Sequence, residues 1–149
     1  NRTEFENHFR THTPQAKHNI AILFADLDNF KSLNDTQGHH AGDQALIEFS
    51  KIIKSSIRSD DLAARLGGDE FVVLLYLDSH EVAVSIADSI LTRINEMQVQ
   101  GYNHKLGISI GIAYTQDAQT PYDKIMKGAD LACYQSKSKG KNQYTMIKV

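Results

Sequence analysis

The sequence LAARLGGDEFVVLLYL, at residues 62–77, contains two short apolar segments separated by Gly67 and Gly68. Two adjacent glycines supply the positive φ angles that a tight hairpin turn requires. The pattern therefore predicts two antiparallel strands, joined by a turn that contains Asp69 and Glu70.

The segments on either side of this hairpin show the patterns of further strands and helices. Residues 20–25 form a continuous apolar run, which is typical of a buried strand, and residues 106–113 alternate bulky and small side chains, as a strand does. Apolar residues recur at helical spacing in two long segments between these strands. The elements expected in the core are, in order, strand 20–25, helix 41–57, strands 62–66 and 71–77, helix 83–97 and strand 106–113.

This order, β-α-β-β-α-β, is the ferredoxin-like pattern of an α+β fold, and we expect an antiparallel central sheet flanked by helices. A short helix over residues 28–37, ended by Gly38, precedes the first long helix. After the core, the sequence predicts an extra helix, with Thr120 as its N-cap and Pro121 as its first residue, and a final edge strand over residues 143–147.

The topology places two acidic segments side by side. In a right-handed β-α-β unit the first two strands are parallel and the third returns between them, so the end of the first strand lies beside the hairpin turn. Asp26 follows the first strand, and Asp69 lies in the turn. We therefore expect Asp26 and Asp69 to meet at one edge of the sheet, with Glu70 nearby.

Carboxylates that are crowded together repel one another unless one is protonated or a cation lies between them. Oxygen ligands at strand ends suit Mg²⁺ or Mn²⁺, and two such ions can activate a hydroxyl group and stabilise a phosphoryl displacement. The alternative is that Asp26 only caps a helix and Asp69 only decorates a turn. The carboxylates alone do not decide between the two interpretations.

Several neighbouring residues favour a nucleotide ligand. The glycine pair leaves room for a ligand against the backbone. Phe30 and Lys31 lie at a helix start, where free N–H groups can hold phosphate. Asn34 offers an amide donor and acceptor and Asp43 offers an acceptor, so these two side chains could read the edge of guanine.

The segment Gly67-Gly68-Asp69-Glu70-Phe71 resembles the signature of the GGDEF family, the diguanylate cyclases. The similarity covers essentially the whole chain, in the family's order and spacing, and is therefore specific. The other matching segments are Asn1-Arg2, residues 26–43, residues 106–113 and residues 129–142.

The resemblance implies an enzyme that condenses two GTP molecules into cyclic di-GMP and releases two pyrophosphates. Each subunit would hold one GTP with two Mg²⁺ or Mn²⁺ ions on the palm-like sheet of nucleotide cyclases, and two subunits would face each other in an antiparallel homodimer. One alternative is a catalytically silent regulatory module that binds GTP or cyclic di-GMP. A single-stranded RNA-binding domain is disfavoured, because the central strands carry aliphatic residues and glycine rather than aromatic ones.

The same resemblance implies roles for individual residues. It makes Asp26, Asp69 and the Leu27 carbonyl metal ligands. Either Asp69 or Glu70 would help to deprotonate the attacking 3′-hydroxyl, and Lys31 would offset the charge of the phosphates. The implied substrate contacts are Phe30, Lys31, Asn34, Asp43, Gly67, Gly68, Lys137 and Lys141.

Three of these contacts bear on how tightly the substrate binds and which nucleotide it is. Lys137 and Lys141 would hold the terminal phosphate, but the family more often has arginine at the second position. Lysine lacks the bidentate fork of arginine, so weaker triphosphate binding is expected. Asp43 favours GTP, since family members that also use ATP tend to replace it.

The sequence RSDD, at residues 58–61, resembles the inhibitory R-x-x-D motif of the family. Arg58 and Asp61 would there bind the product, cyclic di-GMP. The alternative is a basic helix end followed by an acidic turn, because an arginine at this place also suits the helix dipole. The spacing to the glycine pair favours the inhibitory site.

Two other patterns are weaker. His8 and His12 are four residues apart and could chelate Zn²⁺ on a helix, but no third ligand follows nearby and solvated side chains are favoured. Cys133 is the single cysteine, so no intrachain disulfide can form. This favours a reducing compartment, the cytoplasm.

The composition limits the class of protein. A chain of 149 residues and 16.7 kDa fits one domain, residues 1–149, with an N-terminal helix or loop over residues 1–18. Lys plus Arg number 16 and Asp plus Glu 18, and the net charge of −2 does not favour a nucleic-acid polymer as partner. No apolar run could span a bilayer, so no direct membrane contact is expected of this segment. We expect a fragment of a longer protein with a sensory domain upstream, where a membrane anchor could also lie.

Overall fold

The structure is a computed structural model that describes all residues 1–149. The helices are α1 (Arg2–His12), α2 (Phe30–Gln37), α3 (His39–Ser55), α4 (His80–Asn95) and α5 (Tyr122–Ser138), and a short 3-10 helix spans Thr13–Gln15. The strands are β1 (Asn19–Asp28), β2 (Leu62–Gly67), β3 (Glu70–Leu77), β4 (Gly107–Thr115) and β5 (Tyr144–Lys148). None of the helices is both long and apolar enough to cross a membrane.

The five strands form a single sheet in the order β2-β3-β1-β4-β5. β1 lies at the centre and is antiparallel to β3 and β4, while β5 extends the edge in parallel with β4. β3 lies between β2 and β1 and is antiparallel to both, so β1 and β2 run in the same direction. The predicted ferredoxin-like α+β core is confirmed, and with it the position of the β2–β3 turn beside the end of β1.

Helices cover both faces of this sheet. On one face, the bulky side of β4, with Ile108, Ile110 and Ile112, packs with apolar residues of α3 and α4. On the other face, α1 and α5 pack against β1 and β3. The small side of β4 lets α5 approach closely, since a Cβ at Gly111 would lie 2.1 Å from the Ala129 carbonyl oxygen. This approach brings the last turn of α5 to the end of β1.

The start of α5 differs from the prediction. Pro121, not Thr120, is the N-cap, with an extended backbone (φ −63°, ψ 145°), and the helix begins at Tyr122. The Thr120 hydroxyl donates instead to the Asp117 carbonyl oxygen at 2.7 Å. The predicted cap is wrong because this hydroxyl finds its partner in the preceding loop, a competition that is common for short polar side chains.

Candidate active site

Asp26 and Asp69 lie together at the sheet edge where β1 ends and the β2–β3 turn begins. Asp26 pairs in register with Glu70 on β3, and the Leu27 N–H donates to the Asp69 carbonyl oxygen at 3.2 Å. The side chain of Asp26 is near enough to Asp69 to raise its pKa. The convergence expected from the topology is therefore observed. Glu70, the register partner of Asp26, points to the same side of the sheet as Asp26.

The carboxyl pair holds more negative charge than its surroundings favour. The pKa of Asp69 is raised to about 6, first by burial and then by the hydrogen bond and the negative charge of Asp26. Such a pair favours a shared proton or a cation. No group of three or more His, Cys, Asp or Glu side chains in the chain could hold a metal ion. A cation at this edge would therefore depend on the two carboxylates, on backbone oxygens and on a bound ligand.

Lys137, in the last turn of α5, donates a hydrogen bond from Nζ to Oδ2 of Asp26. Burial opposes the charge of Lys137, but the hydrogen bond and charge of Asp26 outweigh burial, so the pKa of Lys137 is raised. The family resemblance implies that this lysine holds the terminal phosphate of the substrate, whereas in the structure it contacts one of the two carboxylates. This ion pair joins residues 111 positions apart in the chain, and the sequence analysis did not foresee it.

Asp28 connects the loop after α5 to the central strands. Its carboxylate accepts hydrogen bonds from the Ser109 hydroxyl at 2.6 Å and from the Asn142 N–H at 2.8 Å. A Cβ at Gly107 would lie 3.0 Å from the Asp28 carboxylate, so the small side of β4 also makes room for this contact. The sequence analysis gave Asp28 no role, although its position two residues after Asp26 was a signal that it faces the same site.

Lys141 lies beside the start of α2. Its Nζ donates to the Asn29 side-chain oxygen at 3.1 Å, and Asn29 is the N-cap of α2. Lys141 and Asn142 both have positive φ angles, 66° and 50°, which are unusual for residues other than glycine. The loop thus holds Lys141 next to the first backbone N–H groups of α2, where Phe30 begins the helix.

Asn34 and Gly42 form a matched pair between α2 and α3. The side-chain oxygen of Asn34 is buried and has no hydrogen-bond partner. A Cβ at Gly42 would lie 1.7 Å from that oxygen, so only glycine leaves space for it. Asp43 follows Gly42 on α3 and is exposed. Sequence reasoning selected Asn34 and Asp43 but missed Gly42, although it directly precedes Asp43.

The glycine pair in the β2–β3 turn is open to a ligand. Gly67 and Gly68 have φ angles of +155° and +51°, as the hairpin prediction required. A Cβ at either position would meet nothing within 4 Å, so the side-chain side of both glycines is open. Arg65 supports the turn, because its Nε donates to the Gly68 carbonyl oxygen at 2.8 Å.

Arg58 and Asp61 lie at the other end of β3 and are bonded to each other. The Asp61 side chain is only 1% exposed and accepts from the Arg58 N–H at 2.9 Å, from Arg58 Nε at 3.4 Å and from the Tyr76 N–H at 3.3 Å. Arg58 also donates to the Tyr76 carbonyl oxygen, and its side chain is 54% exposed. Asp61 thus holds the loop against the edge of β3, and a role of the pair in binding product stays a prediction.

Comparison with known proteins identifies the family of the chain, and the match covers almost all of its residues. Residues 1–143 match the family described as "Diguanylate cyclase, GGDEF domain". The chain is 43% identical over 127 residues to the bifunctional diguanylate cyclase/cyclic di-GMP phosphodiesterase MucR of Pseudomonas aeruginosa; the match covers 84% of this chain but only 18% of MucR.

Solved structures show the same architecture. The GGDEF domain of YfiN from Pseudomonas aeruginosa superposes with a TM-score of 0.88 at 32% identity, with 99% of this chain and 96% of that one covered. The GGDEF domain of DgcB from Caulobacter crescentus, in complex with c-di-GMP, superposes with a TM-score of 0.85 at 25% identity, with 97% and 86% covered. The chain therefore belongs to the GGDEF family of diguanylate cyclase domains.

Proposed function

We propose that this domain condenses two GTP molecules into cyclic di-GMP, with release of two pyrophosphates. The observation that carries the proposal is the pair of facing carboxylates, Asp26 and Asp69, with the raised pKa of Asp69. This pair lies beside an uncovered glycine turn and on the same edge as Lys137. Acidic oxygens, open backbone and a lysine at one edge suit the transfer of a nucleotidyl group from GTP with release of pyrophosphate.

The carboxylates suit a hard divalent cation. Asp26, Asp69 and the Leu27 carbonyl would hold Mg²⁺ or Mn²⁺, because oxygen donors are the ligands that these ions prefer. Two ions per site, when bound, would stabilise the charge that develops on the reacting phosphate. Burial and then Asp26 raise the pKa of Asp69, and a divalent cation would stabilise the charged form against both, so the donor set fits the ion.

The nucleotide would lie between α2, α3 and the glycine turn. The side-chain amide of Asn34, whose oxygen is unpaired, and the exposed carboxylate of Asp43 would read the edge of guanine. The first N–H groups of α2, at Phe30 and Lys31, would hold phosphate oxygens. Lys141 already lies at this helix start.

Lys137 would bind first to Asp26 and then to the terminal phosphate of the substrate. In the structure it neutralises Asp26. When a cation replaces it there, its ammonium group would be available to the terminal phosphate of the substrate. Asp69 or Glu70 would accept the proton of the 3′-hydroxyl, and the second GTP would come from a partner subunit, because one such edge holds one nucleotide.

Turnover of GTP in the presence of Mg²⁺ tests the proposal. The chain should be fused to a dimerising coiled coil, stripped of bound nucleotide and assayed for cyclic di-GMP by chromatography. We expect product from the fusion, none from the Asp69→Ala variant, and unchanged turnover from Asp88→Asn, an exposed carboxylate on α4. Failure of the forced dimer to make product would overturn the cyclase assignment.

A catalytically silent nucleotide-binding module is the second candidate. The ion pair between Lys137 and Asp26 favours it, because this pair engages a carboxylate that the reaction needs. A silent module would bind GTP with Asn34-dependent affinity and yet yield no cyclic di-GMP in the dimeric fusion. Binding and turnover measured on the same fusion therefore separate the two functions.

We also propose that Arg58 and Asp61 bind cyclic di-GMP as an inhibitor. The exposed part of the Arg58 side chain supports this, since its guanidinium can still donate to a phosphate. Arg58→Ala should therefore relieve inhibition of the fusion by added product. Unchanged inhibition would show that the product acts elsewhere.

A further inference from the structure

A second cleft lies far from the carboxylate pair, between α1 and the loop that follows α3. Its volume is about 650 Å³, and its lining includes His8, His12, His18, Arg58 and the acidic pair Asp60 and Asp61. The cleft lies at the Tyr76 end of β3, and the six steps from Glu70 to Tyr76 along an extended strand span about 20 Å. It is therefore separate from the proposed substrate site.

Three histidines converge on this cleft from two segments. The rings of His8 and His12, one turn apart on α1, stack with their centroids 4.2 Å apart. His12 Nδ1 donates to the His8 carbonyl oxygen at 3.1 Å. His18, before β1, lies with its Nδ1 3.4 Å from a carboxylate oxygen of Asp78. The sequence spacing suggested only a helical pair, and the fold adds the third ring.

The charge of the lining depends on these rings. With the histidines neutral, the lining carries one positive charge, on Arg58, and two negative charges, on Asp60 and Asp61. With all three rings protonated, it carries four positive charges against the same two negative ones. Histidine is the side chain whose charge changes between about pH 5 and 8. Protonation of all three rings would thus change the net charge of the lining from −1 to +2.

We propose that His8, His12 and His18 make this cleft a pH-dependent phosphate site, which binds the phosphodiester groups of cyclic di-GMP more tightly as the pH falls from 8 to 6. The inference rests on the proposed function, since it takes the product as the ligand and Arg58 as its first contact. It adds the three histidines as the groups that set the affinity of this inhibitory site.

Other charged groups also lie around the rings. Glu4, on α1, and Lys54 and Arg65, on α3 and β2, border His8 from an adjoining cleft. Burial, and then the charge of His12, lower the pKa of His8. A phosphodiester in the cleft would counter the repulsion between these two rings, so that binding of the anion and protonation of the rings favour each other.

Binding of cyclic di-GMP to the chain, measured by titration calorimetry at pH 6 and pH 8 at constant ionic strength, tests the inference. Neither guanine nor a phosphodiester titrates between these values, so any change in affinity belongs to the protein. We expect binding to be about tenfold tighter at pH 6, which corresponds to a shift of about one pKa unit in the linked rings. The combined variant His8→Gln, His12→Gln, His18→Gln should bind equally at both pH values.

Two further variants, His104→Gln and Arg58→Ala, distinguish a failure of the histidine role from a failure of the inhibitory site. His104→Gln, in the loop before β4 and outside the cleft lining, should keep the pH dependence of the unmodified chain. Equal affinity at pH 6 and 8 in the unmodified chain, or a pH dependence that survives the triple substitution, would overturn the role of the histidines. Neither result would overturn the inhibitory site at Arg58. Binding that Arg58→Ala leaves unchanged would overturn the inhibitory site itself, whereas turnover of the dimeric fusion would still report on the cyclase assignment.

Discussion

Replacing Asp69 by asparagine is expected to stabilise the folded domain while it abolishes the proposed turnover. The side chain keeps its size and its place in the β2–β3 turn. The substitution removes one of two carboxylates that face each other at the end of β1, and it leaves the ion pair between Asp26 and Lys137 in place. A residue that serves catalysis would thus be a source of instability in the nucleotide-free protein.

The expected gain in stability follows from the pKa of Asp69, which is raised from 3.8 to about 6 by burial and by Asp26. Between these two values the folded state binds more protons than the unfolded state, so the free energy of unfolding decreases as the pH rises. Above about pH 6 the destabilisation is complete, and below about pH 4 it is absent. Asparagine carries no charge at any of these pH values and avoids the destabilisation.

The stabilisation expected from Asp69→Asn is moderate. A shift of about two pKa units corresponds to at most ~3 kcal/mol at neutral pH, since each unit is worth about 1.4 kcal/mol. Asp69 is partly exposed, so solvent screening reduces this to about 1–2 kcal/mol. In a domain of this size, such a gain raises the Tm by about 2–6 °C.

Thermal unfolding followed by circular dichroism, without divalent cations, measures this gain at pH 7.5 and at pH 4. The Asp69→Asn variant should unfold at a higher temperature than the unmodified chain at pH 7.5, and the difference should largely disappear at pH 4. Asp88→Asn, on the exposed side of α4, is the matched control and should change neither value. A variant that is no more stable at pH 7.5, or equally stabilised at both pH values, would refute the electrostatic reasoning.

Three other substitutions test the geometry around this edge. Lys137→Met should tighten Mg²⁺ binding to the nucleotide-free chain several-fold in calorimetry, because the lysine no longer competes for Asp26; unchanged affinity would show that the ion pair does not limit access. Gly42→Ala should weaken GTP binding at least tenfold in a chain that still folds, since its Cβ would displace the Asn34 oxygen, 1.7 Å away; equal affinity would remove Asn34 from the guanine site. Gly111→Ala should lower the free energy of unfolding in urea by about 2–3 kcal/mol, because its Cβ would lie 2.1 Å from α5 backbone, and a loss below about 1 kcal/mol would contradict the close packing.

The sequence was sufficient to predict the core strands and their connections. Continuous or alternating apolar runs specify strands locally, and the handedness of a β-α-β unit then determines which strand ends meet. The approach of Asp26 to Asp69 needed only those two rules. The glycine pair added the turn, because its positive φ angles are a property of the residue type itself.

The contacts that the sequence did not predict depend on side-chain geometry between distant segments. Asp28 receives the Asn142 N–H only because α5 returns its loop to the end of β1, and nothing in either segment specifies that partner. Thr120 matches a capping pattern, but its hydroxyl has a competing acceptor in the preceding loop. Local signals of this kind are resolved by tertiary contacts, which a single sequence does not display.

The ion pair of Lys137 with Asp26 and, after the effect of burial, the raised pKa of Asp69 both depend on two carboxylates at one sheet edge. The carboxylate of Asp26 forms an ion pair with Lys137 of α5, and the carboxyl group of Asp69 keeps its proton to a higher pH than usual. A purely structural edge would be more stable with a neutral side chain in place of Asp69. Because the charge of Asp69 destabilises the free protein and would be compensated by a divalent cation, the arrangement supports the proposed reaction at this edge.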